Sequence, residues 1–219
     1  MPRSSSSPQV DKAFRAPGTF ARLQQHARTT PLPSWFRPWA EIEATAAQLW
    51  MFEHSLVPGL LQTPDYARAI LAVQPNVTSD ELHEMVVARL DRQGILNSTS
   101  PPLLWVVLDE AVLHRQIGGA KVMSDQLMHL ADMADQPNVT ISVIPAATGA
   151  HSGLLGAFAI AETADAGRAA YLETATEGLL VENPAAVAEV MLAFDTLRSE
   201  ALPRGASRDL ILKEAEQWT

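Results

Sequence analysis

Hydrophobic residues recur along this chain with two different periods, and the period changes near residue 100. In residues 35–57 apolar side chains recur at steps of three and four, which is the spacing of one face of a helix. Two more helices are predicted over residues 65–73 and 79–96, with Ser79 as the N-cap of the second. The first part of the chain is therefore predicted to be helical.

After residue 100 the pattern becomes typical of strands alternating with helices. Two nearly continuous apolar runs flank a predicted helix, and this order favours a parallel pair of strands covered on both faces. Strands are predicted over residues 103–108, 139–144, 155–162, 169–174 and 177–182, and helices over residues 110–117, 124–135, 184–201 and 207–217. The predicted fold class is α/β (α+β), with an N-terminal helical lobe followed by a mixed, partly parallel sheet of about five strands with flanking helices.

A short connector in the helical region is the point around which the chain is organised. Pro58 and Gly59 are expected to end one helix, because proline lacks the N–H that the helical ladder needs. Thr63 and Pro64 are typical of the start of the next helix. Leu60 and Leu61 are expected to be buried, and Gln62 then brings an amide group to the edge of an apolar region.

Composition shifts divide the chain into three parts. Residues 1–34 open with a serine run and are predicted to be a disordered or loosely attached arm. Residues 35–100 are the predicted helical lobe and residues 101–219 the predicted mixed α/β lobe, and residues 35–219 are expected to fold as one unit.

The chain has 219 residues, a net charge of −9 and no cysteine. Nucleic-acid-binding domains usually carry a basic footprint, so direct binding of nucleic acid by this chain is not expected. No run of eighteen apolar residues occurs, which argues against a membrane span. Without an apolar secretory signal, a cytoplasmic location is expected, and the sequence leaves a homodimer open.

Several motifs, taken in order, give the chain a resemblance to a known family. They include Trp50, Glu53-His54, the stretch from Val57-Pro58-Gly59 to Tyr66-Ala67, Arg89-Leu90-Asp91-Arg92-Gln93, Leu108-Asp109-Glu110-Ala111, Val143-Ile144-Pro145, His151 and Tyr171-Leu172-Glu173. Over roughly residues 35–215 the chain resembles an uncharacterised domain that follows the helix-turn-helix of actinobacterial XRE-type, WhiJ-like regulators.

The resemblance implies a transcription-regulator family whose members are often encoded beside a small partner protein. Family members usually carry a DNA-binding module of several dozen residues before this domain, whereas about 34 residues precede it here. The chain is therefore expected to be a small-molecule or partner-protein binding domain without its own DNA-binding module.

Three residues are candidates for proton transfer. Glu110 directly follows a predicted buried strand, His151 lies in the loop after the next strand, and Glu173 falls near the end of a later one. Ligands of open α/β sheets lie outside the carboxyl ends of strands. His151, Glu110 and Glu173 are therefore the catalytic residues expected of an enzyme, although Glu110 could equally interact with a helix dipole and His151 could be idle.

Six further residues are candidates for ligand binding in a hollow between the two lobes. They are Gln62, Tyr66, Arg92, Gln93, Arg115 and Tyr171. Each also has a structural interpretation: the tyrosines as core residues with a satisfied hydroxyl, Arg92 and Gln93 as partners of helix carbonyls or acids, and Arg115 as an ion pair with Glu110 or Glu173.

Two hypotheses of function follow. The first is the binding domain that the resemblance implies. The alternative is a stand-alone, cofactor-independent enzyme of natural-product biosynthesis, performing acid–base chemistry of the cyclase, isomerase or dehydratase type. No metal site and no cofactor are expected, because the histidines lack metal-ligand spacing and no phosphate-binding glycine loop occurs.

Overall fold

A six-stranded mixed sheet with helices on both faces makes up the described part of the molecule. The computed structural model describes residues 32–164, 167–174 and 177–218, so most of the predicted N-terminal arm, residues 1–34, lies outside the described residues. The strands are β1 (Ala46–Glu53), β2 (Leu103–Asp109), β3 (Val139–Ile144), β4 (Phe158–Thr163), β5 (Gly167–Glu173) and β6 (Gly178–Val181). The helices are α1 (Arg37–Ala44), α2 (Pro64–Leu71), α3 (Ser79–Gln93), α4 (Ala111–His114), α5 (Ala120–Ala134), α6 (Pro184–Glu200) and α7 (Arg204–Glu216).

The strand order is β3-β2-β1-β4-β5-β6, with β1 in the interior of the sheet. β1 pairs in parallel with β2, and β2 pairs in parallel with β3. The sequence predicts the parallel pairing of β2 with β3. β4, β5 and β6 continue the sheet in antiparallel pairs from the other side of β1. The α+β class and the mixed sheet are confirmed, with six strands in place of about five.

The helix predicted over residues 35–57 is wrong. Only Arg37–Ala44 is helical, and Ala46–Glu53 is the strand β1. A short apolar run covered on both faces can be fitted by a helical period as well as by a buried strand, so periodicity alone cannot separate the two. The tertiary pairing of β1 with β2 and β4 decides the outcome.

Alternate residues of β1 belong to two hydrophobic cores. Leu49 and Met51 pack in the larger core, together with residues of α2, α5 and α7. Trp50 and Phe52 pack in the smaller core, together with Val187 of α6 and its neighbours. Both faces of β1 are therefore covered, which explains its continuous apolar sequence. The described residues from Pro33 onward form one compact unit.

Of three predicted helix starts, one agrees with the structure and two differ from it. Thr63 caps α2 through its side chain, with Pro64 in the first turn, as predicted. The N-cap of α3 is Thr78 rather than Ser79, because Thr78 and Glu81 form a reciprocal capping box. α5 begins after Gly119, so it starts earlier than residue 124.

Among the residues that the structure describes, no helix combines the length and the apolar character that crossing a membrane requires.

Candidate functional site

A cleft opens at the carboxyl end of β1, where the parallel and antiparallel halves of the sheet meet. Its space is about 50 Å³, several times the roughly 10–15 Å³ that a single water needs. Residues from α1, β1, α3, β4 and β5 contribute to its walls. The lining consists of Phe36, Trp39, Glu43, Met51, Glu53, Pro58, Gly59, Arg92, Ala157, Phe158, Ala159, Tyr171 and Glu173.

Glu53 is the last residue of β1, is half-buried and lines this cleft. Its carboxyl makes no hydrogen bond or ion pair with another described residue. Burial raises the pKa of Glu53 well above its ordinary value, and the neighbouring carboxylate of Glu173 raises it further, while Arg89 opposes both effects. The ionised form of such a desolvated carboxyl is disfavoured, because no donor among the described residues stabilises it.

Tyr171 contributes a second polar group without a partner. The residue is 2% exposed, and its buried hydroxyl has no hydrogen-bond partner among the described residues. Its ring stacks on Trp39 at 5.4 Å and meets Phe36 edge to face at 5.4 Å. Burial raises the pKa of Tyr171, and Glu173 adds to the effect. Gly178 lies so close to the hydroxyl that a side chain there would collide with it.

An internal ion pair forms one wall of the cleft. Arg92 Nε lies 2.7 Å from Glu43 Oε2, and its Nη2 lies 3.3 Å from Glu43 Oε1. Trp39 Nε1 donates to Glu43 Oε1 at 3.3 Å, and the Arg92 guanidinium lies 4.5 Å from the centre of the Phe36 ring. The Arg92 guanidinium is therefore already engaged by the Glu43 carboxylate and the Phe36 ring.

The connector of residues 57–62 is held by side chains that the sequence predicts to bind ligand. Gln62 Nε2 donates to Val57 O at 2.8 Å, and Arg89 Nη1 donates to Gln62 Oε1 at 2.9 Å. Gln93 Nε2 donates to the carbonyls of Gly59 and Gln62. Gln62 and Gln93 hold the connector and do not line the cleft.

Tyr66 and Arg89 also belong to this support. The Val57 N–H donates to the Tyr66 hydroxyl at 3.2 Å, and burial raises the pKa of Tyr66, with the Val57 hydrogen bond opposing it. Burial and the charge of Arg92 together lower the pKa of Arg89 to about 10, against the opposing charges of neighbouring glutamates. Gln126 of α5 completes the support, since it bonds both Leu61 O and Thr63 N.

His151 and Glu110 lie outside the cleft lining, in two other clusters. His151 Nε2 lies 3.0 Å from Asp109 Oδ2, and the His151 ring meets Phe52 edge to face at 6.1 Å. Its Nδ1 is buried without a partner among the described residues, as is Nδ1 of His54. His151 therefore lies on the face of the sheet that Phe52 occupies.

The two carboxylate oxygens of Glu110 contact the loop after β3 and the last residue of α4. Its Oε2 accepts a hydrogen bond from the Ala146 N–H at 2.7 Å, and its Oε1 lies 3.2 Å from His114 Nε2. His114 Nδ1 lies 3.3 Å from Glu214 Oε2, without hydrogen-bond geometry. Arg115 is exposed and forms no ion pair with Glu110 or Glu173.

The single hollow predicted for Gln62, Glu110 and His151 is not present in this form, because none of the three lines the cleft. The cleft instead gathers three of the predicted residues, namely Arg92, Tyr171 and Glu173. The sequence pattern does not point to Glu43 or Glu53 as site residues, because it predicts one long helix over residues 35–57. The available signal was a glutamate that directly ends an apolar run.

Replacing Glu53 by glutamine is expected to stabilise the protein by roughly 1 kcal/mol at neutral pH. The folded state holds the Glu53 proton to higher pH than the unfolded chain does, so the wild type loses stability as pH rises from 4.5 through the raised pKa. The gain of E53Q should therefore vanish below pH 4. Urea unfolding across pH measures it, with E177Q as control; a wild type more stable than E53Q at pH 7 would contradict it.

The fold and site together define an α+β domain with an acidic, aromatic-walled cleft at the carboxyl edge of its central strand. The family model for DUF5753, a domain of unknown function, matches residues 36–213. The chain belongs to this family. Neither the curated proteins nor the solved structures give a match.

Proposed function

We propose that the chain is a small-molecule or partner-protein binding domain of a transcription-regulator family, of the actinobacterial XRE, WhiJ-like type that its motifs resemble. It acts in the cytoplasm, and its binding site is the cleft at the end of β1. One observation carries the proposal: Tyr171, whose buried hydroxyl has no partner among the described residues, lines the cleft together with Glu53 and Glu173, whose carboxyls make no hydrogen bond to another described residue.

The proposal of a binding site is supported by polar side chains near the end of β1 that have no hydrogen-bond partner among the described residues. Buried polar atoms in proteins are nearly always hydrogen-bonded, and each one that is not lowers stability. A ligand that supplies the missing donors would remove this penalty. In open α/β sheets, ligands bind outside the carboxyl ends of strands at the point where the strand order reverses, and β1, which ends at Glu53, is at that point of this sheet.

Binding is favoured over catalysis by the separation of the predicted proton-transfer residues. Glu173 lines the cleft, whereas His151 pairs with Asp109, and Glu110 is held by the Ala146 N–H. A cofactor-independent acid–base enzyme would need these groups around one substrate. Within the described residues, no group of three or more histidine and acidic side chains is arranged to hold a metal ion.

A cleft-blocking variant tests the proposal. Phenylalanine at position 157, in A157F, would fill the cleft, whereas A147F places the same side chain at an exposed position of the preceding loop. The full chain is screened by thermal shift against a metabolite library and against proteins encoded beside its gene. A true ligand at hundredfold excess over its Kd should raise the Tm of the wild type and of A147F by roughly 5–10 °C, but not that of A157F.

Two results would contradict the proposal. The first is a screen in which neither a compound nor a neighbouring protein shifts the Tm of the wild type. The second is a shift of equal size in A157F, because binding would then take place outside the cleft.

A further inference from the structure

We propose that the cleft recognises a primary ammonium group, carried either by a free amine or by a lysine side chain of a partner protein. This inference rests on the proposed function and adds the chemical class of the ligand. The argument combines the charge of the cleft lining, the hydrogen-bonding capacity of its unpaired groups, and its size.

The lining carries more acidic than basic residues. Three carboxyl side chains line the cleft, those of Glu43, Glu53 and Glu173, against one guanidinium, that of Arg92. Glu43 and Arg92 neutralise each other through their two-point contact. The groups left for a ligand are therefore the two acidic residues Glu53 and Glu173.

The unpaired groups of the cleft can each accept a hydrogen bond. The Tyr171 hydroxyl has no partner among the described residues, and the carboxyls of Glu53 and Glu173, which line the cleft, receive no hydrogen bond from another described residue. Tyr171 lines the cleft beside Glu173, and its covered hydroxyl lies against Gly178. An ammonium group offers three N–H donors on a compact cation, which suits a cleft whose unpaired lining groups are two carboxyls with one tyrosine hydroxyl next to them.

The two arginines nearby are not available to an anion. Arg92 is bound to Glu43 and covers the Phe36 ring. Arg89 donates to Gln62, packs against Gly59 and is absent from the lining. A ligand carboxylate or phosphate would meet Glu53 and Glu173, and the one guanidinium in the lining, that of Arg92, is already bound to Glu43.

The size of the cleft fits a head group rather than a whole ligand. A space of about 50 Å³ corresponds to a few water-sized groups. The rest of a ligand would extend past Glu173, which is exposed. A terminal ammonium on a flexible alkyl chain has this shape, both in a free amine and in a lysine side chain.

Binding of a cation here should release a proton. Glu53 is surrounded by Glu173 from β5, Arg89 from α3 and Tyr66 from α2, with the Glu43–Arg92 pair and Tyr171 across the cleft. The desolvated carboxyl holds its proton more tightly than usual, and a bound ammonium would favour its ionised form. Affinity for the cation should therefore rise with pH, while the affinity of E53Q should not.

Four probes of known charge test the proposal on the full chain. They are n-butylammonium, n-butanol, butyrate and the lysine derivative Nα-acetyl-lysine-N-methylamide. Binding is followed by NMR through the indole N–H of Trp39, which lies in the cleft and donates to Glu43; its signal is assigned with the W39F variant. Butylammonium should bind about tenfold more tightly than butanol, and butyrate should bind more weakly than either.

Variants of the acidic residues test whether the preference for the cation arises in the cleft. The double variant E53Q/E173Q should lose the preference for the cation, whereas E177Q, which removes an exposed carboxylate from the same hairpin, should keep it. Circular dichroism checks that each variant is folded. Tighter binding of the lysine derivative than of butylammonium assigns the ammonium to a partner protein, and the reverse assigns it to a free amine.

The ammonium inference and the proposed function can fail separately. Equal binding of butanol or butyrate at Trp39 overturns the ammonium inference and leaves the cleft as a binding site. A Trp39 signal that no probe changes also overturns the inference, and the A157F screen then decides the proposed function on its own. A cation preference that E53Q/E173Q retains overturns the assignment to these two residues.

Discussion

Replacing Arg92 by methionine is expected to lower the free energy of unfolding by about 3–5 kcal/mol. The partner of Arg92 is Glu43, which is 1% exposed. The Glu43 carboxylate accepts hydrogen bonds from both Nε and Nη2 of the guanidinium. Methionine keeps much of the apolar stem but leaves a buried carboxylate whose remaining donor is Trp39 Nε1. Equilibrium unfolding in urea, with the slope of the transition checked for constancy, measures the loss.

The double variant E43Q/R92M provides the decisive comparison. It removes the buried charge together with its partner, so it should recover much of the stability that R92M loses. R198M is the matched control, because Arg198 pairs with Asp195 at the surface, where ion pairs contribute about 0–1 kcal/mol. An R92M variant that loses less than R198M would show that the pair does not stabilise the wall of the cleft.

Replacing Gln126 by methionine is expected to lower the free energy of unfolding by roughly 2–4 kcal/mol. Gln126 is fully buried; its Oε1 accepts from Thr63 N at 2.7 Å and its Nε2 donates to Leu61 O at 2.7 Å. Methionine has a similar volume but leaves both backbone groups without their partner. Hydrogen exchange should show faster exchange of the Thr63 amide, in addition to the loss measured in urea.

The exposed Gln116 gives the control for this change. Q116M makes the same chemical substitution at the surface, where effects usually lie within about 0.5 kcal/mol. If Q126M and Q116M change stability equally, the connector is not held by Gln126. A Q126M variant whose Thr63 amide remains protected would lead to the same conclusion.

The strands with continuous apolar sequence after residue 100 were the most predictable part of the fold. β3 was predicted at its observed bounds and β2 to within one residue, because each is bounded by turn signals. β1 has the same composition but follows a true helix without a proline or glycine between them. Only its pairing with strands distant in sequence distinguishes it from a continuation of that helix.

The sequence predicted the kinds of side chain in the candidate site better than it predicted which individual residues line the cleft. Tyr171, Glu173 and Arg92 were expected near a ligand and lie in the cleft. Gln62 and Gln93 were expected there too, but backbone carbonyls of the connector take their amide donors. A sequence shows which side chains can form hydrogen bonds, whereas the partner of each depends on the tertiary structure.

The interior position of β1 has a consequence for the order in which the chain can fold during translation. β1 is the first strand of the sheet to leave the ribosome, yet its two neighbours begin only at Leu103 and Phe158. Until they emerge, its apolar stretch has no strand on either side, and such unpaired strands are prone to aggregate. We therefore expect nascent chains that stop before residue 158 to need a chaperone, and release from it to follow synthesis of β4.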